Sequence, residues 1–325
     1  METIYILRGT KIARKDNTLA ITTETGQTRR MPIETVRHLV IPGACRLTSD
    51  TLAFLGKHGV RVSFLDYYGN FSGSLEPAWP HNTGSVHLAQ ARIIENPDAR
   101  LALAKRIIMG ASASLLNNLR YYRYRGVTEL EGVLHQMEEE IHGISQASDI
   151  PTLMGYEGRV RQAYYGGWGY IDSALTLTIR TRRPPQDRVN ALVSFGNGLC
   201  YAACRHELAK THLDLTLSVL HAPTQARASL ALDLAEIFKP VLVDRMIFRM
   251  VRRRMLTDSD FDEHPGATLL STSGREKVVQ EFREVMDMTV IGESRGYRRI
   301  ILAEAYKLEA HVLGLREYQP FVRRV

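Results

Sequence analysis

A change in hydrophobic period near residue 80 constrains this chain more than any single motif. Before it, apolar residues come in short runs at near-regular spacing: residues 3–7, 18–23, 38–41, 61–65 and 71–75, with turn signals at Gly26 and at Tyr68-Gly69-Asn70. Runs of that length, rich in Val, Ile, Thr and aromatic residues, read as strands. After it, apolar residues recur every three to four positions, the spacing of helices that pack on one face. The pattern predicts an α+β chain in two parts. A small β-sandwich or β-roll takes residues 1–76, a linker 77–83, and a larger all-α part 84–325. The linker reading rests on EPAWPHNT, which has two prolines and little periodicity. One helix interrupts the β part, capped by Thr48 or Ser49 and running to about Gly56. The β part carries no nucleotide-binding glycine loop and no catalytic cluster, so it reads as a supporting or dimerising unit.

In the helical part, Asn96 is a cap with Pro97 in the first turn behind it. That helix runs through Leu115 toward Arg120, Arg123 and Arg125, which interleave with Tyr121, Tyr122 and Tyr124. Basic and aromatic residues together suit nucleic-acid backbones and bases. A solvated helix end whose tyrosines pack on a neighbour fits as well, and both readings stand. Further helices are expected over about 129–145, from Pro151 onward, behind an Asp187 cap to 210, over 241–254, 273–288 and 297–314. The segment TDSDFDEHP (257–265) reads as an exposed acidic loop, since it lacks the glycine and terminal glutamate of a calcium loop. The net charge of +7, from 42 Lys and Arg against 35 Asp and Glu, is compatible with a polyanionic partner but does not require one. Three cysteines, Cys45, Cys200 and Cys204, fit a reducing compartment. Cys200, Cys204 and His206 read as small buried helix residues rather than metal ligands. There is no secretory signal and no run near the ~20 apolar residues of a membrane span, so a cytoplasmic location is expected.

Chemistry concentrates in residues 221–244, HAPTQARASLALDLAEIFKPVLVD. His221 ends an apolar run, and Asp233 and Glu236, three apart, share a face of an amphipathic helix. Upstream, Glu157 lies between Gly155 and Gly158, each of which costs a helix about 1 kcal/mol; that cost implies close approach of another backbone. Arg159, Arg161, Tyr164, Tyr165 and Trp168 follow. Carboxylates with one imidazole suit a hard or borderline divalent ion, Mn²⁺ or Mg²⁺, and the absence of thiolates argues against structural zinc. Spacing alone accommodates three unrelated residues as readily as a site. Arg180, Arg182 and Arg183 form a loop ended by two prolines, either a phosphate contact or plain solvated surface.

Several stretches in one order resemble a known family. They are MPIETVRHLVIPG (31–43), GVRVSFLDYYGNFSGSLEP (59–77), GYEG with its tyrosines, RRPPQDRVNALVSFGNGL (182–199), HAPTQARASLALDLAEIFKPVLVDR (221–245) and the final REYQPF. Together they resemble the CRISPR-associated integrase, the spacer-acquiring endonuclease of the adaptation complex. The resemblance implies a metal-binding catalytic triad of Glu157, His221 and Glu236, with Asp233 as the accompanying acid. It implies that a 3′-hydroxyl of captured double-stranded DNA attacks a phosphodiester at the edge of a CRISPR repeat. It also implies a homodimer, and a small ferredoxin-like companion subunit bridging two dimers. DNA contact is then expected from Arg159, Arg161, Tyr165, Arg180, Arg182, Arg183 and Arg227. A structure-selective nuclease without integration, or a non-catalytic DNA-binding protein, are the alternatives. Where the family's loop before the histidine carries two glycines and a proline, this chain has His212, Ser218 and Leu215; glycines there would serve positive φ. Lys239 stands where the family has arginine.

Overall fold

The computed structural model describes residues 2–6, 10–66, 68–77, 83–221, 228–289 and 296–323. Strand β1 (Glu2–Tyr5) leads into a meander of β2 (Lys11–Lys15), β3 (Thr18–Thr22) and β4 (Thr28–Pro32). Then come β5 (Val36–Ile41), helix α1 (Ser49–Lys57), β6 (Arg61–Leu65) and β7 (Phe71–Leu75). The meander is one antiparallel sheet; the other runs β1-β5-β6-β7, with β1, β5 and β6 parallel and β7 antiparallel. Parallel neighbours need a crossover. The meander supplies it between β1 and β5, and α1 between β5 and β6. Ile12, Leu19 and Met31 from the meander, Leu39, Ile41 and Val62 from the mixed sheet, and Phe54 and Leu55 from α1 share one core. Val40, between Leu39 and Ile41, points the other way, into the core of the helical part. The mixed sheet is therefore covered on both faces, which is why every residue of VRHLVI except Arg37 is buried.

The helices are α2 (Gly84–Glu95), α3 (Pro97–Tyr124), α4 (Leu130–Gln146), α5 (Ile150–Gly166), α6 (Trp168–Ile171), α7 (Arg188–Leu208), α8 (Ser229–Phe238) and α9 (Arg245–Arg252). A hairpin of β8 (Phe261–His264) and β9 (Ala267–Leu270) precedes α10 (Thr272–Asp287) and α11 (Tyr297–Val312). Side-chain caps set several of the starts, at Asn96, Asp149, Asp187 and Ser271 among them. Asn96 accepts from the Ala99 N–H at 3.0 Å, Asp149 from Thr152 at 2.7 Å and Asp187 from Asn190 at 2.8 Å. Between α8 and α9 the chain does not break but widens into a π-helical turn, Lys239–Asp244. Pro240, which has no N–H and crowds the preceding turn, lies at its start. The segment expected to be an exposed acidic loop is mostly exposed, but it forms a 3₁₀ turn, Asp258–Asp260, and then strand β8. Asp260 is buried there, accepting from Lys277 Nζ at 2.7 Å and Ser273 Oγ at 2.8 Å. The part after the strands is thus mostly, not entirely, helical.

Helix α7 carries the contact between the two parts. Gly69, at φ 82°, turns the β6–β7 connection so closely over α7 that a Cβ on Gly198 would lie 1.6 Å from the Gly69 carbonyl oxygen. Arg61 Nη2 donates to the Ala209 carbonyl, and Arg205 Nη2 to Ser74 Oγ at 2.6 Å and Glu76 Oε1 at 2.8 Å. The rings of His38 and His206 stack at 4.2 Å and 4°. Cys200 and Cys204 are fully buried on the same helix with free thiols, as their apolar setting implied. Residues 78–82 of the expected linker lie outside the described residues. Among the described residues no helix is long and apolar enough to cross a membrane.

Candidate functional site

Asp233 is fully buried on α8, where an unpaired carboxylate would be costly. It is paired four times over. Its Oδ2 accepts from the backbone N–H groups of Val219 at 2.7 Å and Leu220 at 3.1 Å. Its Oδ1 accepts from the His221 N–H at 3.1 Å and meets His221 Nδ1 at 2.7 Å. An ionised carboxylate only accepts, so Nδ1 carries a proton and, in the neutral ring, the lone pair is at Nε2. Asp233 therefore fixes both the loop and the tautomer of the imidazole. Ser218, at one of the places where the family has glycine, donates Oγ to the His221 carbonyl at 2.7 Å, and the His212 N–H donates to Glu309 at 2.8 Å. Among the described non-glycine residues only Asp16 and Arg254 have positive φ. The loop reaches its conformation through side-chain bonds, without the glycine geometry.

Glu157 on α5 and Glu236 on α8 meet through Arg161, whose Nε donates to Glu157 and whose Nη2 donates to Glu236. Lys239 Nζ donates to the other Glu236 oxygen at 2.5 Å. Burial pushes the Glu236 carboxyl up, but Arg161 and Lys239 outweigh it and hold the group down at about 2. Burial works against charge on Arg161 too, and the carboxylates of Glu236 and Glu157 reverse that, so it stays protonated. For His221, burial disfavours the proton, while the Asp233 bond and the charges of Asp233 and Glu236 more than offset it and raise its pKa. Glu157 and Glu236 are thus linked through Arg161, and the charge of Glu236 acts on His221. Among the described residues no group of three or more His, Cys, Asp or Glu is arranged to hold a metal ion. Arg161 and Lys239 take one oxygen of Glu157 and both oxygens of Glu236. The donor types, two carboxylates and an imidazole with its lone pair at Nε2, fit a hard or borderline divalent ion.

The other expected contact residues separate. Arg159 is exposed, pairs with Glu140 at 2.7 Å and lies 4.5 Å over the Tyr156 ring. Arg161 belongs to the site itself rather than the surface. Tyr165 is half-buried. Arg180 is turned inward, donating to Asn190 Oδ1 at 2.7 Å and Ser194 Oγ at 3.0 Å, whereas Arg182 and Arg183 are exposed. Arg227 lies outside the described residues. Tyr164 and Trp168 are core, with Trp168 edge-on to Phe248 at 4.8 Å. Of the arginines at the end of α3, Arg120 pairs with Glu138 and Arg123 with Glu131, while Arg125 lies over Tyr121 at 4.5 Å. Neither Gly155 nor Gly158 is closely approached by another backbone. A Cβ on Gly155 would meet only the end of Arg159, and one on Gly158 nothing within 4 Å. Two residues went unnoticed in the sequence. Asn118 on α3 donates Nδ2 to Tyr164 Oη at 3.0 Å and to the Pro240 carbonyl at 2.8 Å, tying α5 to the π-helical turn. Asp244, the one acid in the apolar run PVLVD, is buried beside Tyr164 and pushed up to about 7 by burial, against the pull of Arg161. A single acid in such a run was the available signal.

The chain is similar to known proteins over nearly its whole length. A family model described as CRISPR associated protein Cas1 matches residues 4–284. The CRISPR-associated protein Cas1 1 of Methanobrevibacter ruminantium is 35% identical over 326 residues, covering 98% of this chain and 97% of that protein. The CRISPR-associated endonuclease Cas1 of Clostridium perfringens is 35% identical over 324 residues, 97% of each. Among solved structures, a Cas1 protein from Thermotoga maritima superposes with a TM-score of 0.88 at 29% identity, covering 98% of this chain and 99% of that one.

Proposed function

This chain belongs to the Cas1 family of CRISPR-associated proteins, and from that membership we propose that it is a metal-dependent DNA integrase that inserts spacer DNA into a CRISPR array. The observation that carries the reading is the His221 imidazole, fixed through Nδ1 by Asp233 beside the buried Glu236 and its neighbour Glu157. In this reading Glu157, Glu236 and His221 would hold Mn²⁺ or Mg²⁺, and Asp233 positions His221 without touching the reacting atoms. A divalent ion held there would polarise a phosphodiester and make an attacking hydroxyl more acidic. The reaction joins a 3′-oxygen of the incoming double-stranded DNA to a phosphorus at the repeat edge and releases the repeat's own 3′-hydroxyl, so one phosphodiester forms as one breaks. Asp233 keeps the proton on Nδ1, which reserves Nε2 as a ligand. Arg161 and Lys239 keep Glu236 ionised, and the exposed Arg182 and Arg183 meet phosphates. The strand-rich residues 1–76 serve as the supporting unit, 77–83 as linker and 84–325 as the catalytic part. The chain acts as a homodimer with the small ferredoxin-like companion, in the cytoplasm.

A second reading has specific support, because curated relatives carry the name endonuclease. With water as nucleophile the same residues cut DNA and join nothing. Strand transfer into a supercoiled repeat plasmid, with and without the companion subunit, separates the two. Glu157→Ala, His221→Ala and Glu236→Ala should each abolish joining while DNA affinity survives. Cleavage without joined product would favour the nuclease. Joining retained in all three variants would remove the metal site from consideration.

A further inference from the structure

The basic and aromatic end of α3 has two readings in sequence, and the structure divides its residues between them. Arg120 and Arg123 are neutralised by Glu138 and Glu131. Arg125 is exposed, and its guanidinium carbon lies 4.5 Å from the centre of the Tyr121 ring. Arg245, at the start of α9, lies 5.4 Å from the same ring. Arg252, at the end of α9, is exposed and lies 5.2 Å from the ring of Tyr122, which meets Tyr121 edge-on at 5.1 Å. Among the described residues no carboxylate forms an ion pair with any of these three, whereas Arg249 and Arg254 nearby in the chain pair with Glu281 and Asp172. A fourth arginine comes from the C-terminal tail. The Arg323 carbonyl accepts from Asn117 Nδ2 at 2.9 Å, one helical turn before Tyr121, and among the described residues the buried Arg323 Nε has no hydrogen-bond partner.

Like charges gathered around two touching rings repel one another, and an anion among them relieves that repulsion. Guanidinium groups held over aromatic faces keep N–H edges that match phosphate oxygens. Tyr124 lies three residues past Tyr121, on the same side of α3, and is 79% exposed. An exposed ring beside guanidinium groups is a stacking surface for a base, and a duplex, whose bases are already stacked on one another, makes little use of it. We infer that this cluster is a second nucleic-acid site that takes an unpaired stretch of DNA, with Arg125, Arg245 and Arg252 on its phosphates and Tyr124 stacked on a base. This rests on reading the chain as a protein that acts on DNA, and it gives these residues a different task from Arg182 and Arg183.

The test is fluorescence anisotropy with the full chain, a short labelled oligothymidine and a labelled duplex of the same length, at several salt concentrations. No divalent ion is added, so neither DNA is cut. Arg125→Gln with Arg252→Gln should weaken binding of the single strand, lower its salt slope by about 1.4 for two lost phosphate contacts, and leave duplex binding unchanged. Tyr124→Ala should weaken the single strand about tenfold at an unchanged slope, and Tyr124→Phe should restore it, since the ring stacks without its hydroxyl. Thermal midpoints are measured alongside; if Arg125→Gln lowers the midpoint, Arg252→Gln alone is used and should lower the slope by about 0.7. Unchanged single-strand affinity in the arginine variant overturns the site while leaving the DNA reading intact. Equal losses for single strand and duplex overturn its assignment to unpaired DNA. A wild type that binds neither DNA overturns the DNA reading and this site together.

Discussion

Asp233 and Glu236 sit three residues apart on one helix, yet they spend their charges differently. Asp233 accepts from three consecutive backbone N–H groups and from an imidazole, which leaves it nothing to offer an ion. Glu236 is held, among the described residues, by the side chains of Arg161 and Lys239. The i, i+3 pairing was legible in the sequence. The division of labour was not, because it depends on where the loop at 219–221 runs, and no side-chain pattern encodes the direction of backbone N–H groups. An amide at 233 would present an NH₂ to donors that need an acceptor. Asp233→Asn is therefore expected to destabilise the protein by about 2–4 kcal/mol, the scale of hydrogen bonds to a buried charge. Chemical denaturation checks this. A loss under half a kcal/mol would mean that Asp233 is not the anchor of the loop.

At the scale of elements, glycine placement is the clearest case of a correct principle applied to the wrong residues. A helical glycine costs stability unless something needs the space. At Gly198 on α7 something does: the Gly69 carbonyl lies where a Cβ would go. At Gly158 on α5 the space is open. Opposite signs follow. Gly158→Ala should stabilise by about 1 kcal/mol, the helix-propensity difference. Gly198→Ala should destabilise by about 1–3 kcal/mol, as overpacking against backbone does. Thermal unfolding of the two variants side by side tests both, and a shift in the same direction would contradict the packing described. The caps at Asn96 and Asp187 were readable because their chemistry is local to four residues. The parallel order of β1, β5 and β6, the β8–β9 hairpin and the π-helical turn were not, since each depends on partners distant in sequence or on packing around a proline.

Across the whole molecule, a net charge of +7 says little about where a polyanion would bind, because so many of the arginines are already spent. Arg120, Arg123, Arg159 and Arg188 face carboxylates, and Arg61 and Arg205 link the strand-rich part to α7. The loop at 180–183 divides the same way. Arg180 is bound to Asn190 and Ser194 and holds the loop onto α7, while Arg182 and Arg183 face solvent. In sequence the three are indistinguishable; only the burial of Asn190 inside α7 separates them. If DNA runs along this loop, Arg182→Gln with Arg183→Gln should weaken duplex binding and lower the slope of log affinity against log salt by about 2, close to one released counter-ion for each lost phosphate contact. The fold should be unaffected, since both side chains are exposed. Arg180→Gln should do the reverse, lowering the thermal midpoint with little change in the slope. Fluorescence anisotropy at several salt concentrations measures the first and calorimetry the second. A slope that follows Arg180 instead of Arg182 and Arg183 would place the DNA against the inner side of the loop.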